Sequence, residues 1–211
     1  ELAEAYLEWP GTAAVKGRPG YEALAADWLE EWRFGARWVL GERDLGRALP
    51  PERMWQGLPT CSGQMTLLPL AAVFAGRPEK AYRAAYELGF FDNGFGKDLN
   101  SALVAGLAEA LVTARDGRSA RETFEAVTGA MRRTDPFRYG RIRWTERSVD
   151  RWLDVAERLV RESAGEPARL FEGLEGEFEG TTKWEAQVPF VVVFACFRLA
   201  DYDPLAALQL T

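Results

Sequence analysis

No histidine occurs anywhere in the 211 residues. That excludes a Ser-His-Asp triad, a zincin-type helix and any His-liganded metal within them. Methionine is missing from the first position, where Glu1 stands, so the chain is expected to be processed, trimmed or a fragment. Cysteine is scarce. Cys61 and Cys196, far apart in sequence, leave a bridge open, but so low a count fits a reducing compartment better than a disulfide scaffold. No basic segment precedes an apolar one in the manner of a signal peptide. The longest apolar run, Val188 to Phe197, falls well short of the ~20 residues that a membrane span needs. Positive charge is in the minority, 26 Lys+Arg against 32 Asp+Glu for a net −6, which excludes a wholesale nucleic-acid coat protein. These absences point to a soluble, cytoplasmic protein with no membrane partner and no nucleic acid expected.

What is present is helical pattern. Hydrophobic residues make up 47% of the chain, enough for a sizeable core, and a single domain over 1–211 is expected. Glu22 to Leu40 carries Leu24, Trp28, Leu29, Trp32, Ala36, Val39 and Leu40 in a stripe three and four residues apart. Trp28 and Trp32 on that stripe read as core. Gln64 to Ala75 is apolar, with Pro69 marking a kink or a helix start inside it. Pro78 begins another helix. Asn100 to Ala114 is rich in small residues, which permits close helix approach and suggests a central position. Ser119 and Glu122 have capping-box spacing, for a helix to about Met131. Thr145 is the expected N-cap of a helix bearing Val149, Trp152, Val155, Leu159 and Val160. Pro167 opens a short helix ending near Gly173. Val188 to Leu199 could be a buried strand because of its β-branched run, but Pro189 suits a helix start and no partner strand is evident, so a buried helix is expected. Asp203 and Pro204 read as N-cap and first helical residue of a last helix, which stops at Thr211 without a cap. The fold class is all-α, a compact orthogonal bundle of about nine or more helices, with one long irregular stretch from Arg132 to Trp144.

Several segments carry candidate chemistry. Ser62, Gly63 and Gln64 precede the apolar helix, where exposed N–H groups and the positive helix end suit a phosphate or diphosphate, although such pairs are commonly only caps. Phe90 to Asp98 combines two glycines, Asp92, Asn93, Asp98 and three phenylalanines. Gly94 and its neighbours permit close backbone approach and the aromatics could flank a base or sugar; the alternative is a turn whose polar residues cap backbone groups. Asp201 and Asp203 could hold Mg²⁺, but N-capping accounts for Asp203. Arg132 to Arg147 interleaves Arg132, Arg133, Arg138, Arg141, Arg143 and Arg147 with Phe137, Tyr139 and Trp144. That is a pattern of single-strand binding, or equally a solvated loop paired with the acidic remainder. Cys61 has no neighbouring cation to make a thiolate. Glu185 and Asp98 could act as acid or base, but sequence spacing does not bring them together.

Taken together, Cys61 to Ala81, Ala84 to Leu111 and Val191 to Leu208 resemble the ADP-ribosylglycohydrolase family. The Cys61-Ser-Gly-Gln-Met-Thr-Leu-Leu-Pro69 run is similar to that family's Gly-Asn-Gly-type turn followed by Met, an apolar pair and Pro, with a Gly-Arg-Pro-Glu turn closing the helix. The family usually has Thr-His in its next loop, where this chain has Asp92-Asn93. The resemblance implies a hydrolase that cleaves an N- or O-glycosidic bond to ADP-ribose, acting on ADP-ribose or an ADP-ribosylated substrate. It implies two Mg²⁺, bound by a Thr-Asp-Asp motif and an Asp-x-Asp-Ser/Thr motif, neither of which is in this chain. It further implies that Ser62, Gly63 and Gln64 lie along the diphosphate, with Asp92, Asn93, Gly94 and Asp98 on the ribose or adenine side. No catalytic or metal residue is assigned within the chain, and the 211 residues alone are expected to be inactive. The alternative within the resemblance is a non-catalytic nucleotide-binding or structural relative, as the lens crystallin members are.

Overall fold

The computed structural model describes residues 1–8, 30, 33–42, 59–89, 92–136, 138 and 146–210. The chain divides into two compact units, Glu1–Gly57 and Leu58–Thr211. In the first, α1 spans Leu2–Glu8 and α2 occupies 33–39, the second half of the helix expected over Glu22 to Leu40. Phe34 and Ala36 of α2 are buried; Trp28 and Trp32 lie outside the described residues.

The second unit holds α3 (Ser62–Thr66), α4 (Leu70–Val73), α5 (Pro78–Leu88), α6 (Gly94–Arg115), α7 (Ala120–Arg133), α8 (Ser148–Ser163), α9 (Pro167–Glu177), α10 (Gln187–Leu199) and α11 (Pro204–Leu210). The fold is all-α. Among the described residues, extended pairing is confined to one antiparallel bridge between Thr60 and Glu185. No helix among them is long and apolar enough to cross a membrane.

Helix α6 is the centre, as its small residues suggested. It packs on α3, α4, α5, α7 and α8. Ala102 and Ala105 are fully buried. Gly106 lets α7 approach so closely that a Cβ there would lie 2.8 Å from Met131 Cγ and 3.0 Å from Val127 Cγ1. One apolar cluster joins α6, α7, α8, α9 and α10 through Leu99, Met131, Leu153, Leu170 and Phe190. A smaller one joins α5 and α6 to the α3–α4 segment through Leu67, Ala71, Ala85 and Val104. Helix α10 is the buried helix expected from its pattern: Phe190, Val191, Phe194, Ala195 and Cys196 are all buried. A β-branched run is tolerated there because burial of its side chains outweighs a small loss of helix propensity.

Local boundaries follow local chemistry. Pro69 separates α3 from α4, Pro78 starts α5, and Ser119 with Glu122 forms a complete capping box for α7. Asp203 Oδ1 accepts from the Leu205 and Ala206 N–H groups at 2.8 and 2.9 Å, so it is a cap. Asp201 pairs instead with Arg121, at 2.9 Å. Three boundaries differ from expectation. Helix α6 starts at Gly94 rather than Asn100, because Asn93 is extended and Gly94 takes a left-handed φ of 50° that opens the helix directly. Helix α9 runs past Gly173 to Glu177, because Leu174 is buried and holds the extra turn to the core. Helix α8 begins at Ser148 with Arg147 at the capping position, while Thr145 lies outside the described residues. So does most of the Arg132 to Trp144 stretch, Phe137, Tyr139, Arg141, Arg143 and Trp144 included, as does Thr211.

Candidate functional site

Three chain segments distant in sequence converge at the start of α6. The segment entering α3 is pinned to the segment entering α10 by backbone bonds, Ala186 N–H to the Pro59 carbonyl at 2.7 Å and Cys61 N–H to the Trp184 carbonyl at 2.9 Å. The first turn of α6 lies against the same place, since a Cβ on Gly96 would sit 3.1 Å from the Pro59 carbonyl carbon. Two side-chain amides close the junction. Gln64 Nε2 donates to Asn100 Oδ1 at 3.0 Å and to the Ala186 carbonyl at 2.8 Å. Asn100 Nδ2 donates to the Thr60 carbonyl at 3.2 Å. Asn100 is completely buried, so these bonds satisfy polar groups that have no water to turn to.

Residues 61–64 and 92–94, singled out independently in the sequence, meet directly. The Gly63 N–H donates to Asp92 Oδ1 at 3.1 Å. Asp92 is 5% exposed, and its Oδ2 has no hydrogen-bond partner among the described residues. That oxygen is so close to Gly63 that a Cβ there would come within 2.2 Å of it. Burial pushes the Asp92 carboxyl up to about 6, against the pull of the Asn100 amide, the Gly63 N–H and the Lys97 ammonium. Burial also lowers the Lys97 ammonium, which Asp92 partly offsets; its Nζ lies 4.7 Å from the Tyr86 ring centroid. The Asp92 carboxyl therefore changes charge near pH 6 rather than in the usual carboxylate range.

The remaining expected residues fall around this contact. Ser62 Oγ shares a hydrogen with Thr60 Oγ1 at 2.9 Å. Asn93 is half-buried and Gly94 exposed, at the N-terminus of α6. Asp98 lies in the second turn of α6. Arg147 Nη2 and the Tyr82 hydroxyl donate to its Oδ1, at 2.7 and 2.5 Å, and Arg147 Nε donates to its Oδ2 at 3.0 Å. Phe90 and Phe91 lie outside the described residues.

Cys61 and Cys196 are both free and buried. Burial raises the Cys61 thiol, with the nearby Asp92 adding to the effect, so it is a poor nucleophile. Glu185 stands near the junction through its neighbours: its Oε2 accepts from Gln187 Nε2 at 2.8 Å and its Oε1 from the Thr182 N–H at 3.2 Å. Among the described residues no group of three or more Cys, Asp or Glu is placed to hold a metal ion. With both Asp98 oxygens bound to Arg147 and Asp92 Oδ1 bound to Gly63, the donors present do not fit a binuclear cation centre.

Sequence reasoning missed Asn100, the residue that ties the junction together. The available signal was a polar amide on the small-residue face of α6, where a solvated side chain would not be expected. Gln187 was missed for the same reason.

A family model described as ADP-ribosylglycohydrolase matches residues 1–211. No curated protein and no solved structure matches the chain.

Proposed function

Since the chain belongs to the ADP-ribosylglycohydrolase family over residues 1–211, we propose that the junction around Gly63 and Asp92 is where it holds ADP-ribose. In this reading the parent activity is hydrolysis of an N- or O-glycosidic bond to ADP-ribose, on a free or protein-linked conjugate. The two Mg²⁺ that the family resemblance implies would be held outside the described residues.

The observation that carries the reading is the contact of the 61–64 turn with the 92–94 loop at the Gly63 N–H and Asp92 Oδ1. Ser62 and Gln64 then flank the diphosphate, and Asn93 and Gly94 present an exposed edge to the ribose or adenine. Asp98 serves by position: its bonds to Arg147 and Tyr82 hold the first turns of α6 in place. Asp92 acts as a carboxyl that a phosphate prefers in its neutral form, because two anions on one N–H repel.

Calorimetric titration with ADP-ribose tests this. A saturable heat that Ser62→Ala and Asn93→Ala each weaken about tenfold, the loss of one hydrogen bond to a charged or ribosyl group, is expected. No heat from the intact chain sinks the reading. That result would favour the second one, a structural relative that binds no ligand at this junction.

A further inference from the structure

Beside the central helix lies a cavity of about 510 Å³ that the ADP-ribose reading does not use. Its walls include Leu107 and Ala110 of α6, Phe124 of α7, Phe197 of α10, and Tyr202 with Pro204 at the corner before α11. Ala110 stands roughly 24 Å along the α6 axis from Gly94 at about 1.5 Å per residue, so the two places are separate.

The apolar wall is held in a defined shape. The Phe124 ring lies 5.5 Å from Phe194, 6.2 Å from Phe197 and 5.2 Å from Tyr202, the last edge-on at 61°. Tyr202 reaches that position through two consecutive left-handed residues, Asp201 at φ 46° and Tyr202 at φ 67°, a conformation that side-chain-bearing residues rarely take. Val127 and Phe194 are buried at the floor, while Val193 is 50% exposed at the rim.

Charge is concentrated at one point. Among the described lining residues Arg118 is the charged one, and it is exposed. Its side chain makes no hydrogen bond or ion pair among the described residues. The neighbouring acid, Glu122, is folded back on Ser119, accepting from its N–H at 2.9 Å and its hydroxyl at 2.8 Å, so it meets Arg118 only through the longer-range attraction that helps lower its carboxyl. The next arginine, Arg121, is already paired with Asp201 at 2.9 Å and lies over the Tyr202 ring. An apolar cavity of this size with one exposed guanidinium at its rim, its donors not engaged in a hydrogen bond, complements a molecule apolar along its length and anionic at one end. A doubly charged phosphate head would ask for more donors than one guanidinium and the Thr123 hydroxyl.

We infer that this cavity binds a free single-chain carboxylate, its aliphatic tail between Leu107, Ala110, Phe124 and Phe197 and its carboxylate on Arg118. Calorimetry of the full chain with decanoate, decanol and acetate tests it. Decanoate is expected to bind saturably with one molecule per chain, and acetate not to bind. Arg118→Gln should weaken decanoate at least tenfold, the loss of a charge-assisted hydrogen bond, and leave decanol unchanged. Ala110→Phe, which fills the cavity, should abolish binding of both. Val193→Trp at the exposed rim should do the same without lowering the melting temperature, which guards against a misfolded Ala110→Phe protein. Absence of saturable heat, an Arg118→Gln affinity equal to that of the parent, or full binding by a folded Val193→Trp protein each overturns the assignment.

Discussion

Gly63 has room for a hydrogen and nothing larger. A methyl there would meet Asp92 Oδ2 at 2.2 Å and Asn100 Cβ at 2.8 Å, both on buried residues that cannot swing away. Gly63→Ala is therefore expected to lower unfolding free energy in urea by about 1–3 kcal/mol, the usual cost of overpacking, and to abolish the ADP-ribose heat. Asp92 makes the same place sensitive to pH. Its folded value of about 6 lies above the reference of 3.8 because burial disfavours the charged form. A raised carboxyl stabilises the fold fully below the unfolded value and loses that contribution as pH rises through the folded one. The loss between pH 4 and pH 7 is on the order of 3 kcal/mol from this group. Asp92→Asn should flatten that portion of the stability–pH curve and make the protein more stable than the parent at pH 8. An unchanged curve would mean that Asp92 is not the group responsible.

At the scale of elements, the way α6, α7 and α8 meet depends on one cation. Arg147, 3% exposed, stands just before the first residue of α8, binds both oxygens of Asp98 on α6, and donates to the Met131 carbonyl at 2.9 Å and the Thr134 carbonyl at 3.0 Å at the end of α7. Arg147→Met removes the charge, leaves Asp98 with the Tyr82 hydroxyl alone, and takes the guanidinium donor from these carbonyls. Breaking one side of a buried pair typically costs about 3–5 kcal/mol, and a urea midpoint shift of that size is expected. The α7 capping box is a smaller and separate contribution. Ser119→Ala should cost about 1 kcal/mol in the same measurement, because the Glu122 N–H loses its acceptor at an exposed helix end. Equal shifts for the two variants would contradict the difference in burial between them.

For the molecule as a whole, the two cysteines report on integrity. Both are buried and unbridged, and burial raises both thiols. Native protein should react with a thiol reagent only at the rate of unfolding, and two equivalents should appear in denaturant without prior reduction. Fast labelling of the native chain would show that the Cys61 junction or the α10 core opens without global unfolding.

Helix positions were legible because they follow from local chemistry: prolines at helix starts, the Ser119–Glu122 box, and the small-residue run of α6. The all-α class follows from that pattern, since no segment alternated and no hairpin turn occurred. Family membership was legible too, in the run from Cys61 to Ala81. Residues 61–64 and 92–94 were each recognisable as polar glycine-containing turns, but nothing local joined them. Only the tertiary structure brought Asp92 onto the Gly63 N–H, placed Asn100 between them, and turned Asp98 toward Arg147. Those pairings span 29, 36 and 49 residues. Caps and periodicity depend on neighbours within one turn, and the sequence by itself determined them. Contacts between buried polar groups depend on how the helices stack, and the packing of α5, α7 and α8 around α6 decided those.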